Sequence, residues 1–554
     1  MGAYWGWTSW DFDEERDLDE DSEVWVIDAK DCVPALYPFE LWNHQNGAHR
    51  AMSYGSQTLC QPVGIPQSRT KDGFVYFTRI KLPAEERKRR EPIFRERIAP
   101  WLEDFNGTWD KYRAELEEGF QRLKKVHLEK LTFPELREHF EDWLRYHRRS
   151  WDIHMLCMYA AFHVYTTFVD LCKELLGIDE QHPQFKALMA GFDNRIFQVD
   201  RGLWQLGGRA MELGLAPLFQ TIEDDEKLLS ELEQSEAGRK WLEELHQFLD
   251  ENGWRTPRVF DVSSPTWVEK PSLSLPTIRT AVAKGGPYIL DQERERLAKQ
   301  REEAEKDVLS RVPVDKREMF EKAMRSAQLV RVWAEGHLFY CEHYTNGLGR
   351  RVLKEIGTRF AQKGLIDEPQ DIYFLLPEEI SLRLTIADLG KFGAHKLVQI
   401  RKPQYQENLK TEPPFAIGDM SKLGELVSDE LVLSSTIAGV PVVKPELKAD
   451  LYGSHSAPGV GEGPARVIMS EREFHLVQPG EILVTVTTSP IWTPVFGIVK
   501  GVITDTGGSL THAIIVGREY GLPVVAGTQE ATRKIKTGQK IRVDGDNGCV
   551  YIIE

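Results

Sequence analysis

A chain of 554 residues is too long for one hydrophobic core and implies roughly two to four domains. Its 41% hydrophobic and 28% charged residues describe a soluble globular protein. The formal net charge of -16 argues against nucleic acid or an anionic membrane surface as main partner, because both favour a basic face; it leaves small anionic ligands open.

The first 25 residues combine aromatic side chains with the acidic run DFDEERDLDEDSE, which does not read as a signal peptide. Residues 1–82 read as an irregular N-terminal region with a few strands such as GFVYFTRIKL. From 83 to 401 the spacing turns helical, as in FPELREHFEDWLRYHRR and KLLSELEQSEAGRKWLEELHQFLDENG. Thr132 and Glu135 form a capping box before the first of these, and Gly253 ends the second. MLCMYAAFHVYTTFVDL, at 155–171, carries His163 and Asp170 and falls short of the ~20 apolar residues of a membrane span, so it reads as a buried helix.

The Pro- and Ser-rich passage between 252 and 288 reads as non-helical. DQERERLAKQREEAEKDVLSRV and the helical pattern that begins at MFEKAMRSAQ then predict an antiparallel hairpin around Pro313. Residues 402–450, with several prolines and the amphipathic piece SKLGELVSDELVLSS, read as a linker or hinge. Beyond them, short apolar runs bounded by turn residues predict a small α/β domain over 451–554. Six cysteines without a CxxC pair point to reduced thiols and a cytoplasmic setting. The fold class expected is multidomain α + α/β.

The α/β domain contains TDTGGSLTH at 504–512, directly before the helix-like AIIVGREYG. Gly507 and Gly508 allow a tight turn and close backbone approach, and Ser509 or Thr511 can cap the helix. His512 then lies in the first turn, where unpaired N–H groups and the positive end of the helix dipole stabilise an anion. A neutral imidazole there has the lone pair needed to attack phosphorus, and the charge of its phosphorylated product meets waiting donors. Taken alone, the short motif also fits an ordinary Gly-Gly turn beside a helix.

The blocks SAPGVGEGPARVI (456–468), PGEILVT (479–485), GVITDTGGSLTHAIIVGREYGLPVVAGT (501–528) and TGQKIRVDGDNGCV (537–550) occur in one order. Through them the domain resembles the mobile phosphohistidine, or swivelling, domain of phosphoenolpyruvate-utilising dikinases, which include phosphoenolpyruvate synthase and rifampicin phosphotransferase. The resemblance implies phosphorylation at His512, with Gly507, Gly508, Ser509 and Thr511 positioning the phosphoryl group. Gly517 departs from the alanine usual there, which predicts a slightly weaker helix. Residues 1–400 show no Gly-rich phosphate loop. Residues 325–380 resemble the helical acceptor-binding region of rifampicin-phosphotransferase-like proteins. Together the parts look like the acceptor and carrier subunit of phenylphosphate-synthase-type enzymes. That resemblance implies ATP and Mg2+ on a separate ATP-grasp-type nucleotide-binding subunit, none held tightly by this chain, and a small aromatic hydroxyl as acceptor.

A phenol attacking phosphohistidine needs a base, cations for the phosphoryl oxygens and an apolar slot. His337 is the candidate base, Arg351 the candidate phosphate clamp, and Tyr340 and Arg350 are candidate substrate contacts, although a core histidine and salt-bridged arginines are equally ordinary readings. His337 and His343 fall on different helix faces, so no metal is expected there. Two other readings stay open: an antibiotic or other hydroxylated acceptor, and a phosphorylatable relay without a small-molecule acceptor.

Overall fold

The computed structural model describes residues 22–28, 35–180, 182–256, 260–286, 288, 291–386, 394–411, 413–422, 445–469, 471–488, 492–508 and 511–553. Strand β1 (Val24–Ile27) is apolar and buried throughout, as a central strand requires. It pairs antiparallel with β3 (Phe74–Ile80), which forms a hairpin with β2 (Ile65–Lys71), and on its other side with β4 (Ala416–Gly418). Between β1 and β2 lie α1 (Pro38–His44), a π-helical turn (Gln45–His49) and α2 (Arg50–Leu59), where the sequence predicted irregular structure.

The expected hinge over 402–450 is anchored to the body for its first part. Helix α12 (Ala394–Asn408) runs into it, Arg401 binds the Glu379 carboxylate at 2.7 and 2.9 Å, Lys402 binds Asp371 at 2.9 Å, and β4 completes the N-terminal sheet. The amphipathic piece at 421–435 lies outside the described residues beyond Lys422.

The helical body begins with α3 (Ala84–Glu103) and α4 (Phe105–Lys124), followed by the 44-residue α5 (Phe133–Leu176). The predicted capping box starts α5: the Thr132 N–H donates to Glu135 Oε2 at 2.8 Å and the Glu135 N–H donates to Thr132 Oγ1 at 3.4 Å. By length and composition α5 could cross a membrane, but 61% of its most apolar window is buried, in a core cluster that runs from Phe39 to Val398. Helices α6 (Arg195–Glu212), α7 (Glu236–Asn252) and α8 (Leu275–Lys284) surround a second cluster that includes Leu203, Trp241 and Ile278. Helix α8 falls in the passage read as non-helical. Its proline occupies the first turn, where no N–H is needed, and Gly285 stops it, so the proline starts this helix rather than forbidding it.

The hairpin around Pro313 forms from α9 (Asp291–Arg311) and α10 (Arg317–Leu338). Helix α10 continues through a π-helical turn (Phe339–His343) into α11 (Tyr344–Gln362).

The C-terminal domain is an eight-stranded sheet in the order β5-β12-β11-β7-β8-β9-β10-β6. Its centre is parallel: β7 (Val460–Val467), β8 (Ile482–Thr485), β9 (Gly501–Thr504) and β10 (Val524–Ala526). Apolar clusters cover both faces, which is why β8, β9 and β10 are buried at every position and read as continuous apolar runs. The architecture is thus a mainly helical body followed by a small α/β domain.

Candidate active site around His512

Helix α13 (His512–Glu519) is the crossover between parallel strands β9 and β10. The loop entering it lies beyond the carboxyl ends of β8 and β9, the usual place for a ligand in a parallel sheet. The loop is tied to its neighbour through backbone bonds from Asp505 N–H to Thr485 O (3.1 Å) and from Thr506 N–H to Val486 O (2.9 Å). Gly507 has φ +119°, which side chains rarely allow, and a Cβ there would meet Thr511 Oγ1 at 2.8 Å. Thr511 is the N-cap residue, but its hydroxyl donates back to Gly508 O at 2.7 Å rather than capping the helix. Ser509 lies outside the described residues.

His512 begins the helix and is 8% exposed. Its Nδ1 is 2.9 Å from Thr488 Oγ1, its Nε2 is 3.4 Å from Thr493 Oγ1, and Phe496 packs edge-on to the ring at 5.8 Å between centroids. The shorter contact at Nδ1 is the better hydrogen bond. With the Nδ1 proton donated to Thr488, the lone pair lies on Nε2. Replacing Thr488 with Val, of similar shape, is expected to slow phosphorylation of His512 about 10- to 100-fold with the melting temperature little changed. Single-turnover labelling measures this, and an unaltered rate would remove Thr488 from the site.

The glycine at 517 has a packing cause: a Cβ would lie 2.2 Å from Val524 Cγ2, so alanine would force α13 away from β10. This outweighs the small helix-propensity term that the sequence suggested. The far end of α13 meets the helical body. The Gly191 N–H donates to Glu519 Oε2 at 3.2 Å, and Tyr520 packs on Phe197 with centroids 6.4 Å apart. Burial lowers the Arg518 guanidinium to about 10, with Arg331 adding to the effect, and burial raises Glu519.

The helical candidates do not converge. His337 is buried, stacks on Trp333 at 3.9 Å between centroids, and has Nδ1 3.0 Å from Trp333 O. A carbonyl only accepts, so Nδ1 carries the proton and Nε2 is the basic nitrogen of the neutral ring. The His154 ring lies 4.8 Å from His337, and His154 Nδ1 is 3.5 Å from Glu342 Oε1, an arrangement the sequence reading missed. Tyr340 packs on Trp109 at 6.2 Å, and Trp109 in turn packs on Trp333 at 5.7 Å. Arg350 instead binds Glu269, Ser263 O and the Tyr373 hydroxyl, while Arg351 donates to Lys124 O at 2.7 Å and to Val126 O at 2.5 Å. In this conformation both arginines fasten the body together rather than facing His337.

Residues 477–548 match the family model "PEP-utilising enzyme, mobile domain", and residues 153–333 match "Rifampicin phosphotransferase fourth domain". The chain is 28% identical to chondramide synthase cmdD of Chondromyces crocatus over 96% of its own length and 14% of that protein's. It is 28% identical to the uncharacterized phosphotransferase YvkC of Bacillus subtilis, with 75% of this chain and 49% of that protein covered. It is 31% identical to the rifampicin phosphotransferase of Bacillus subtilis, with 60% and 37% covered. The chain therefore carries a PEP-utilising mobile domain behind a rifampicin-phosphotransferase fourth domain, and spans less than half the length of each of these relatives.

Proposed function

We propose that the chain is the phosphocarrier and acceptor-binding portion of an ATP-dependent phosphotransferase, with His512 as the carrier and a small aromatic hydroxyl, of the phenol type, as acceptor. The observation that supports this most directly is the His512 imidazole held between two threonine hydroxyls at the start of α13. In the first step Nε2 forms a bond to phosphorus as a phosphoanhydride P–O bond of ATP breaks, with ATP and Mg2+ on a separate ATP-grasp-type polypeptide. In the second, the acceptor oxygen bonds to phosphorus, the N–P bond breaks, and the hydroxyl proton passes to a base, for which His337 Nε2 is the candidate. A reducing, cytoplasmic setting fits the free thiols of Cys157, Cys172, Cys341 and Cys549.

The matches to rifampicin phosphotransferases support a second reading with a larger hydroxylated antibiotic as acceptor. Intact mass after incubation with ATP, Mg2+ and the nucleotide-binding polypeptide tests both. A phosphoryl-sized gain that a phenol discharges and a rifamycin does not establishes the first reading; the reverse establishes the second. A gain that neither discharges points to a relay. No gain sinks the carrier assignment.

A further inference from the structure

Away from the carrier domain, Asp28, His44 and His49 place one ligating atom each within 4.8 Å of one another. His44 Nε2 and His49 Nε2 approach the same oxygen, Asp28 Oδ2, at 3.3 and 3.5 Å. Both histidines are buried, at 0% and 4% exposure, and none of their four ring nitrogens has an in-line hydrogen-bond partner among the described residues. Buried imidazoles are ordinarily bonded, because an unsatisfied polar atom costs about 1–3 kcal/mol. Here two adjacent rings leave that cost standing and turn toward one carboxylate.

We propose that Asp28, His44 and His49 bind one divalent first-row transition metal, zinc foremost. Tetrahedral ligation at about 2.0–2.1 Å sets neighbouring ligand atoms about 3.3 Å apart, close to the separations between each imidazole nitrogen and the carboxylate oxygen. Two imidazoles and one carboxylate suit zinc or ferrous iron, and leave a further coordination position for water.

The backbone is built to assemble this set. Residues five apart on a regular α-helix point about 140° away from each other, so His44 and His49 would not share a face. The π-turn at Gln45–His49, in which the Arg50 N–H reaches Gln45 O, brings them back together. Gly47 at its middle is required by close packing, since a Cβ there would lie 2.8 Å from Trp151 Nε1. Asp28 is fixed from the other side, its N–H donating to Val75 O at 2.9 Å at the end of β1. Phe260 stacks beside His44 at 4.1 Å between centroids and on Trp151 at 4.9 Å, shielding the imidazoles, while the Asp28 side chain keeps 19% exposure as a way in. The metal would clasp the N-terminal sheet to the helix that packs on α5.

The test is elemental analysis of the full chain, purified without chelator, followed by titration of the stripped chain with Zn(II) and with Co(II). About one equivalent of metal per chain and the visible d–d bands of four-coordinate Co(II) are expected. His49→Gln and Asp28→Asn should each weaken Zn(II) binding at least 10-fold while circular dichroism stays native; if one variant misfolds, the other still decides. Absence of stoichiometric binding in the natural chain, or unchanged binding in a folded variant, overturns the proposal.

Discussion

His512→Ala is expected to abolish phosphoryl uptake, lowering the labelling rate to background, at least about 1,000-fold below the natural chain. The hydroxyls nearest the ring, Thr488 and Thr493, cannot replace it: an alcohol is a weak nucleophile unless a base takes its proton, and the base available to them is the deleted imidazole. The substitution leaves the helix intact, because alanine is a better helix former than histidine and the lost contacts are two hydrogen bonds and one edge-on ring contact. His512→Gln, which keeps a polar side chain of similar reach, should be as inactive and better packed. The label on the natural chain should be lost in acid and persist in base, as an N–P bond requires; a phosphothreonine would survive acid. Residual labelling of His512→Ala with the natural chain's acid lability would place the carrier on another histidine.

The carrier was legible in the sequence because its signals are local. A strand, two glycines, a helix and a Gly-x-Pro stop follow one another within residues 501–523, and each constrains its immediate neighbours. Its supports were not legible: Thr488 and Thr493 reach His512 from 24 and 19 residues away, after a neighbouring strand. The reason for Gly517 likewise lies across the fold, in Val524. In the helical body, periodicity placed the hairpin around Pro313 and the capping box at Thr132, while Arg350 and Arg351 found partners 81 and about 227 residues distant. The pairing of β1 with β4 joins segments nearly 400 residues apart, so a stretch with linker composition became the edge of a sheet. The His44–His49 pairing depends on a π-turn, and α-helical periodicity assigns those histidines to different faces.

Acidification from pH 7 to 5 should cost the helical body about 2 kcal/mol of stability, and about 3 kcal/mol by pH 4, well before the acidic range in which most carboxylates titrate. Burial, reinforced by Arg50, holds His147 down at about 3, and burial, reinforced by Arg255, holds His343 at about 3. An unfolded histidine takes a proton near 6.5, so the stability from these two neutral rings is present above that value and lost as pH falls toward 3. Each ring accounts for about 2 kcal/mol lost by pH 5. Asp200 works in the opposite direction. Burial raises its carboxyl to about 7 against the pull of Arg255, so the folded chain keeps a proton that the unfolded chain releases near 3.9. Its contribution is full below the unfolded value, is lost as pH rises through 7, and returns about 2 kcal/mol on acidification to pH 5. Two histidines against one aspartate leave a net loss, and His139 and His163, also lowered by burial, add to it. Urea midpoints of the natural chain and of His343→Gln at pH 7 and 5 separate the contributions. The variant should lose about 2 kcal/mol less than the natural chain over this interval, whatever its stability at pH 7, because one of the two opposing titrations on the histidine side is gone. An equal loss in both proteins would mean that His343 titrates normally, and that the acid sensitivity of the body resides elsewhere.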